Sequence, residues 1–231
     1  MTSDQRGAQE VTLARRLSAE AVGTAFLLVA IVGSGVMAER LSEGNYAVAL
    51  LANSTTTGAM LIVLVGIFGP VSGGHLNPAV TAVFAMRGEI TLRLAGAYIL
   101  SQVVGALIGT WFAHLMFGLP VLQLSAKSQV TPALWFSEAM ATFGLILTIL
   151  GTLRWKKELI PFTVGLYIAS AIWFTSSDSF ANPAATIGRS LTNTFTGLNP
   201  ASIPAFLIAQ LAGAALAAIF CGWLLAIDEN E

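Results

Sequence analysis

The chain has 231 residues, 55% of them hydrophobic and only 10% charged, with a mean hydropathy of +0.77. That balance excludes a soluble globular domain and points to several transmembrane helices. A net charge of −1 gives no electrostatic basis for nucleic-acid binding, the single Cys221 excludes an intrachain disulfide framework, and two histidines are too few for a histidine metal cluster, so no cofactor is expected.

The polar residues 1–11 are expected to be a retained cytoplasmic tail, because no short apolar region with a small-residue cleavage site is present. Six segments are then long enough to span a bilayer: Leu17–Ala38, Tyr46–Phe68, Leu92–Phe117, Leu134–Leu153, Leu159–Ser176 and Ile203–Ile227. Two shorter apolar pieces, Asn77–Met86 and Asn182–Leu191, lie between spans. A helix of about ten residues rises ~15 Å, half of a ~30 Å hydrocarbon core, so both read as half-spans. Each opens with Asn-Pro-Ala, at Asn77-Pro78-Ala79 and Asn182-Pro183-Ala184. A Pro directly after Asn suits the first turn of a helix. Two helices that start in mid-membrane aim their N-terminal N–H groups at one point, which describes a pore. A third copy, Asn199-Pro200-Ala201, precedes a full span and reads only as a helix start.

Charge gives an orientation. With the N-terminus inside, the cytoplasmic side carries Arg6, Arg15, Arg16, Arg87, Arg93, Arg154, Lys156 and Lys157, against Arg40, Lys127 and Arg189 outside. That excess places both termini in the cytoplasm.

The chain reads as a single channel domain of two halves, about 12–120 and 130–227. Glu20 answers Glu138 at an offset of 118, Asn77 answers Asn182 at 105, and Gln102 answers Gln210 at 108. Three spans per half require the second half to be inverted, and paired short segments in an inverted repeat point to a transport site.

Ser72-Gly73-Gly74-His75-Leu76-Asn77-Pro78-Ala79-Val80-Thr81 resembles the first signature of the aquaporin, or major intrinsic protein, family. The resemblance covers nearly the whole chain. It implies an all-α membrane fold with six tilted helices, two re-entrant half-helices, and a homotetramer with one pore per subunit. It also implies a selectivity filter, which carries over by spacing to Thr57, Ser170, Ser179 and Ala185; a one-residue shift would replace Ser170 by Ala169. The family usually has Arg at the position of Ala185. The stretch from Asn182 to Phe195 resembles a bacterial subgroup with a small residue there, some members of which accompany arsenic-resistance genes and pass trivalent or methylated arsenicals.

Asn77 and Asn182 have amides suited to donate to a permeating oxygen, where half-helix dipoles repel cations. Glu20 and Glu138 are either a proton relay or, as their symmetric placement favours, acceptors for loop N–H groups next to the half-helices. Gln102 and Gln210 are expected to share that support. Arg189, one turn beyond Ala185, is a vestibule candidate or an interfacial arginine. His75 is expected to bond the loop backbone, with gate tuning as the alternative. His114 and Cys221 are expected to be structural. Gly105 and Gly109, with Gly213 and Ala217 in the other half, suit close helix crossing. Trp111, Trp135, Trp155 and Trp223 suit anchoring at span ends.

The function expected is a passive plasma-membrane channel for small uncharged solutes: water, glycerol-sized molecules, neutral arsenite and methylated arsenicals. A general water and glycerol facilitator and a proton-coupled transporter are the alternatives. An enzyme is not expected, because no nucleophile–base pair or cofactor motif is visible.

Overall fold

The computed structural model describes residues 11–127 and 131–226. Most of the expected tail, including Arg6, and the last expected span residue, Ile227, lie outside the described residues. What is described is all-α, without strands.

Helix starts follow from capping chemistry. The side chains of Thr12, Asn45, Thr91 and Thr131 accept from the first turn of α1 (Leu13–Leu41), α2 (Tyr46–Ser72), α4 (Leu92–Met116) and α5 (Pro132–Trp155). Asn77 and Asn182 cap the half-helices α3 (Pro78–Met86) and α7 (Pro183–Ser190), each with Pro in the first turn. Asn199 caps only a 3₁₀ turn, Pro200–Ser202, which leads into α8 (Ile203–Leu224). The third Asn-Pro-Ala is therefore a helix-start signal, as expected.

Five of these helices are long and apolar enough to cross a membrane. The remaining span, α6 (Ile160–Phe174), has 15 residues and follows a 3₁₀ turn at Lys157–Leu159. Together they rise ~28 Å, enough for a thin bilayer core. The ends otherwise differ from expectation by a few residues, because polar caps carry helices past the apolar runs. α1 is extended at both ends, and α2 continues through Pro70 to Ser72. Pro70 has no N–H to give to the Gly66 carbonyl.

Close packing fixes where each helix sits. A Cβ at Gly105 or Gly109 would collide with the carbonyl of Ala21 or Ala25, so α4 rests directly on the α1 backbone. Gly213 meets Ala139 in the same way, which seats α8 on α5. Helix α6 runs antiparallel to α2: Trp173 Nε1 donates to Ser54 Oγ at 2.9 Å, and Gly165 and Gly58 touch backbone to backbone. Large apolar side chains such as Leu100, Phe136, Leu166 and Ile208 point outward, while Glu20, Gln102, Glu138 and Gln210 are fully buried. Apolar outside and polar inside is the arrangement a lipid environment requires.

Candidate functional site

The half-helices α3 and α7 meet at their N-termini inside the bundle. Asn77 Oδ1 accepts from Ala79 N at 2.8 Å, and Asn182 Oδ1 accepts from Ala184 N and Ala185 N at 3.0 and 3.2 Å. The amide nitrogens then cross between the halves. Asn77 Nδ2 donates to the Ala181 carbonyl at 2.7 Å, and Asn182 Nδ2 donates to the Leu76 carbonyl at 2.9 Å. Leu76 and Ala181 take positive φ, 48° and 44°, which turns those carbonyls toward the other half. An amide NH₂ carries two donors. One is held by the partner loop, and the second has no partner among the described residues. Both Asn side chains line a cavity of about 940 Å³.

The loops that lead into the half-helices are held by the two buried acids. Glu20 accepts from Ser72 Oγ (2.6 Å), His75 N (3.1 Å), Leu76 N (2.7 Å) and Gln102 Nε2 (2.8 Å). Glu138 accepts from Ser177 Oγ (2.6 Å), Phe180 N (2.9 Å), Ala181 N (3.0 Å) and Gln210 Nε2 (2.6 Å). The loop partners correspond one to one at the offset of the two Asn residues. Gln102 and Gln210 also reach Thr81 and Thr186 in the half-helices, at 2.9 and 2.8 Å. A carboxylate has about four acceptor sites, and all are filled here. Neither acid lines the cavity.

The cavity follows α2 from Asn53 to Gly73, with α5 and α6 opposite. Its ends differ. One carries Asp178, Phe180 and Arg189; the other carries Glu89, Lys157 and Glu158. Thr57, Ser179 and Ala185 line it near the Arg189 end. Thr57 Oγ1 and Ser179 Oγ are buried and have no hydrogen-bond partner among the described residues.

Ser170 does not belong to this wall. It is exposed on the outer face of α6, and its hydroxyl donates to the Leu166 carbonyl. The residues facing the cavity are Ile168 and Ile172. The alternative, Ala169, packs against Gly58 of α2. Residues four apart share a helix face, and the residue between them at position two points away. The spacing carry-over therefore chose the wrong face, and this wall is more apolar than expected.

Arg189 is buried at 6% exposure and lines the cavity; it is not an interfacial arginine reaching headgroups. Its Nε donates to the Thr196 carbonyl at 2.5 Å, and its guanidinium lies 3.3 Å from the Phe180 ring centroid. Lys127 lies nearby, with Nζ donating to the Phe195 carbonyl at 2.7 Å. Burial, the largest cause, and the Arg189 charge lower the Lys127 pKa, while Glu39 and Asp178 raise it. His75 also faces the cavity. Its Nδ1 pairs with Thr81 Oγ1 at 3.1 Å, not with the loop backbone as expected, and its ring packs, tilted by 38°, against Phe84 at 4.6 Å between centroids.

The remaining candidates are structural. His114 is fully buried and ties the loop after α4 to the segment after α7, through the Val121 carbonyl and Thr192 Oγ1, both at 2.8 Å. Cys221 is buried in the core. Trp155 and Trp223 are exposed at helix ends, whereas Trp111 and Trp135 are partly buried. Sequence reasoning missed Ser72 and Ser177, and Thr81 and Thr186. Both pairs carry the offset of the two Asn residues, a signal that was there to be found. It also missed Asn53, one turn from Thr57, and Phe180.

Residues 7–177 match the family described as Major intrinsic protein. The chain is 53% identical over 217 residues to aquaglyceroporin AqpS of Rhizobium meliloti (strain 1021), covering 94% of this chain and 93% of that protein. It is 31% identical over 183 residues to a probable aquaporin TIP-type of Medicago truncatula, covering 74% and 72%. The X-ray structure of the aquaglyceroporin from Plasmodium falciparum superposes with a TM-score of 0.70 over 91% of this chain and 96% of that one. At 20% identity that is a likeness of fold.

Proposed function

The chain belongs to the major intrinsic protein family, a family of membrane channels and not of enzymes, and on that premise we propose a passive pore for small uncharged solutes. The solutes are water, glycerol-sized polyols, neutral arsenous acid and its methylated relatives. The single observation that carries this reading is the meeting of Asn77 and Asn182 in one cavity. Each places an amide donor beside a half-helix N-terminus. A neutral hydroxyl accepts from those donors, whereas a cation meets two positive helix ends with little water left to solvate it.

The region near the second Asn is lined by Thr57, Ser179, Ala185, Ile168 and Ile172, so it is small, uncharged and amphipathic. Lacking Arg at Ala185, it has room for solutes wider than water. Arsenous acid, a compact trihydroxide, resembles part of glycerol in shape and in its hydroxyl donors. The name of the Rhizobium relative supports the glycerol part, and subgroup resemblance supports the arsenical part. Two inverted halves, 12–120 and 130–227, would put both termini on one side of the plasma membrane, and the excess of Lys and Arg on that side supports the cytoplasm, with the Arg189 end outward. Four copies assemble, each with its own pore.

A proton-coupled transporter fits less well. That reading makes Glu20 and Glu138 the proton relay, and both lie off the cavity with all acceptor sites filled. Stopped-flow light scattering on proteoliposomes, with water, glycerol and arsenite gradients in parallel, tests the proposal. Flux should rise linearly with gradient and ignore an imposed pH difference. Saturable, pH-driven uptake, or no flux above empty vesicles, sinks it.

A further inference from the structure

We infer that the selectivity-determining level of this channel lies one helical turn outward of Thr57 and Ala185, at Asn53 and Arg189, and that it recognises hydroxyls of small neutral polyols. This rests on the reading of the chain as a passive channel. In α2, Asn53 precedes Thr57 by four residues, toward the end of the cavity marked by Asp178; in α7, Arg189 follows Ala185 by four toward the same end. Each shift is about 6 Å along its helix. Both side chains line the cavity, and both are only 6% exposed.

Both are also fixed, which a recognition level requires. Asn53 Nδ2 donates to the Ile31 carbonyl and to Ser34 Oγ, each at 2.9 Å. A backbone carbonyl only accepts, so the amide nitrogen is on that side and Oδ1 is the other atom. Oδ1 makes no hydrogen bond among the described residues. Arg189 is clamped through Nε by Thr196 and through its face by Phe180, and its two terminal nitrogens likewise make no hydrogen bond among the described residues. One wall thus offers an acceptor and another offers charged donors. Just inward, Thr57 and Ser179 also line the cavity, and their hydroxyls have no hydrogen-bond partner among the described residues. A hydroxyl, which both donates and accepts, satisfies this set in a way that no purely accepting or donating group does.

The seat of Arg189 has a counterpart. At the offset of the two Asn residues, His75 answers Phe180 and Phe84 answers Arg189. Each half therefore builds a packed pair beside the cavity, His75 tilted against Phe84 in one and Arg189 over Phe180 in the other. Arg189 fills the position that Phe84 holds in the first half, and only there does the pair carry a permanent charge.

The test uses full-length protein in proteoliposomes, with water, glycerol and erythritol as probes. Arg189→Gln shortens the side chain and removes its charge. Asn53→Ala removes the acceptor. Phe180→Leu leaves both side chains but frees Arg189, and it carries the test where Arg189→Gln does not reconstitute. Removing the Arg189 fork should raise the erythritol-to-glycerol permeability ratio about tenfold, because a level fitted to the shorter polyol no longer discriminates against the longer one. Asn53→Ala should raise it less, and Phe180→Leu should move it the same way. A ratio within about twofold of wild type, less than one hydrogen bond is worth, in Arg189→Gln or its substitute Phe180→Leu overturns the inference. The same result for Asn53→Ala alone removes Asn53 from the level. Wild-type vesicles that pass no glycerol would instead sink the channel reading beneath it.

Discussion

The two loops that feed the half-helices carry out one scheme with different residues. In the first, Gly73, Gly74 and Leu76 take positive φ; in the second, the matching positions are Asp178, Ser179 and Ala181. The hydrogen bonds to Glu20 and Glu138 are the same in kind and number. A left-handed residue other than Gly costs about 1 kcal/mol or more. The second loop therefore bears strain that the first avoids, and what it gains is side chains: Asp178 and Ser179 both line the cavity. The backbone scheme is common to both halves and builds the fold. The side chains that depart from it lie at the Arg189 end, where selection of solutes is proposed.

If the shared scheme builds the fold, breaking it in either half should cost about the same, and this is the largest effect expected. Glu20→Gln or Glu138→Gln replaces one acceptor oxygen by an NH₂ donor that faces groups which are themselves donors. Loss of two or more buried hydrogen bonds should cost about 3 kcal/mol or more. Folded yield and thermal midpoint in detergent should fall together for both variants, while flux per folded molecule changes little. Full stability with abolished, pH-dependent uptake in one variant would break the symmetry and restore a proton relay.

The crossing of Asn77 and Asn182 between loops sharpens the comparison next. In the double variant Asn77→Asp with Asn182→Asp, the caps survive, because a carboxylate still accepts from Ala79 and Ala184. The donors to Ala181 and Leu76 are lost, and two negative groups offset the half-helix dipoles. A cation current should appear in planar bilayers where wild type shows none. Intact water flux without any current would mean that the charge barrier lies elsewhere.

A third, more selective change concerns Ala185, whose counterpart in the first half is Val80; both line the cavity. Ala185→Arg adds five donors and a permanent charge. Glycerol and arsenite permeability should fall about tenfold, and water by a few-fold at most. Arg189 one turn away repels the new guanidinium, so the change should be repeated with Arg189→Ala. An equal loss for water and larger solutes in both backgrounds would show that Ala185 does not face the narrow region.

What repeats in the sequence was legible in it. Glu20 and Glu138, Gln102 and Gln210, and the two Asn-Pro-Ala copies sit where their offsets imply, and their structural roles follow from unpaired loop N–H groups. Ser170 was misread because the face that α6 turns inward is set by its contact with α2 at Gly58 and Gly165, far apart in sequence. The exchange of Asn amides with carbonyls of the opposite loop was hidden for the same reason: no local pattern encodes which carbonyl a side chain meets across the bundle. Arg189 could be placed one turn beyond Ala185 by counting, but its clamp depends on Thr196 and Phe180, which only the folded loop brings to it.

The smallest effect tests the strain itself. Ser179 has φ 43°, and its counterpart Gly74 has φ 61°. Ser179→Gly removes a strained side chain whose hydroxyl has no partner among the described residues. The relief is partly offset, because Gly gains freedom in the unfolded chain, so the net gain should be below about 1 kcal/mol. The thermal midpoint should rise by about 2 °C. Gly74→Ser should do the reverse, since its Cβ would sit 3.1 Å from the Gly69 nitrogen in a conformation that disfavours it. If strain is kept for the sake of the lumen, the more stable Ser179→Gly should also shift the glycerol-to-water ratio by about fivefold, the worth of one hydrogen bond to a solute. A variant more stable with the ratio unchanged would mean that Ser179 is strained without use. A less stable one would mean that the second loop is not strained at that residue, and the contrast between the two loops would fail there.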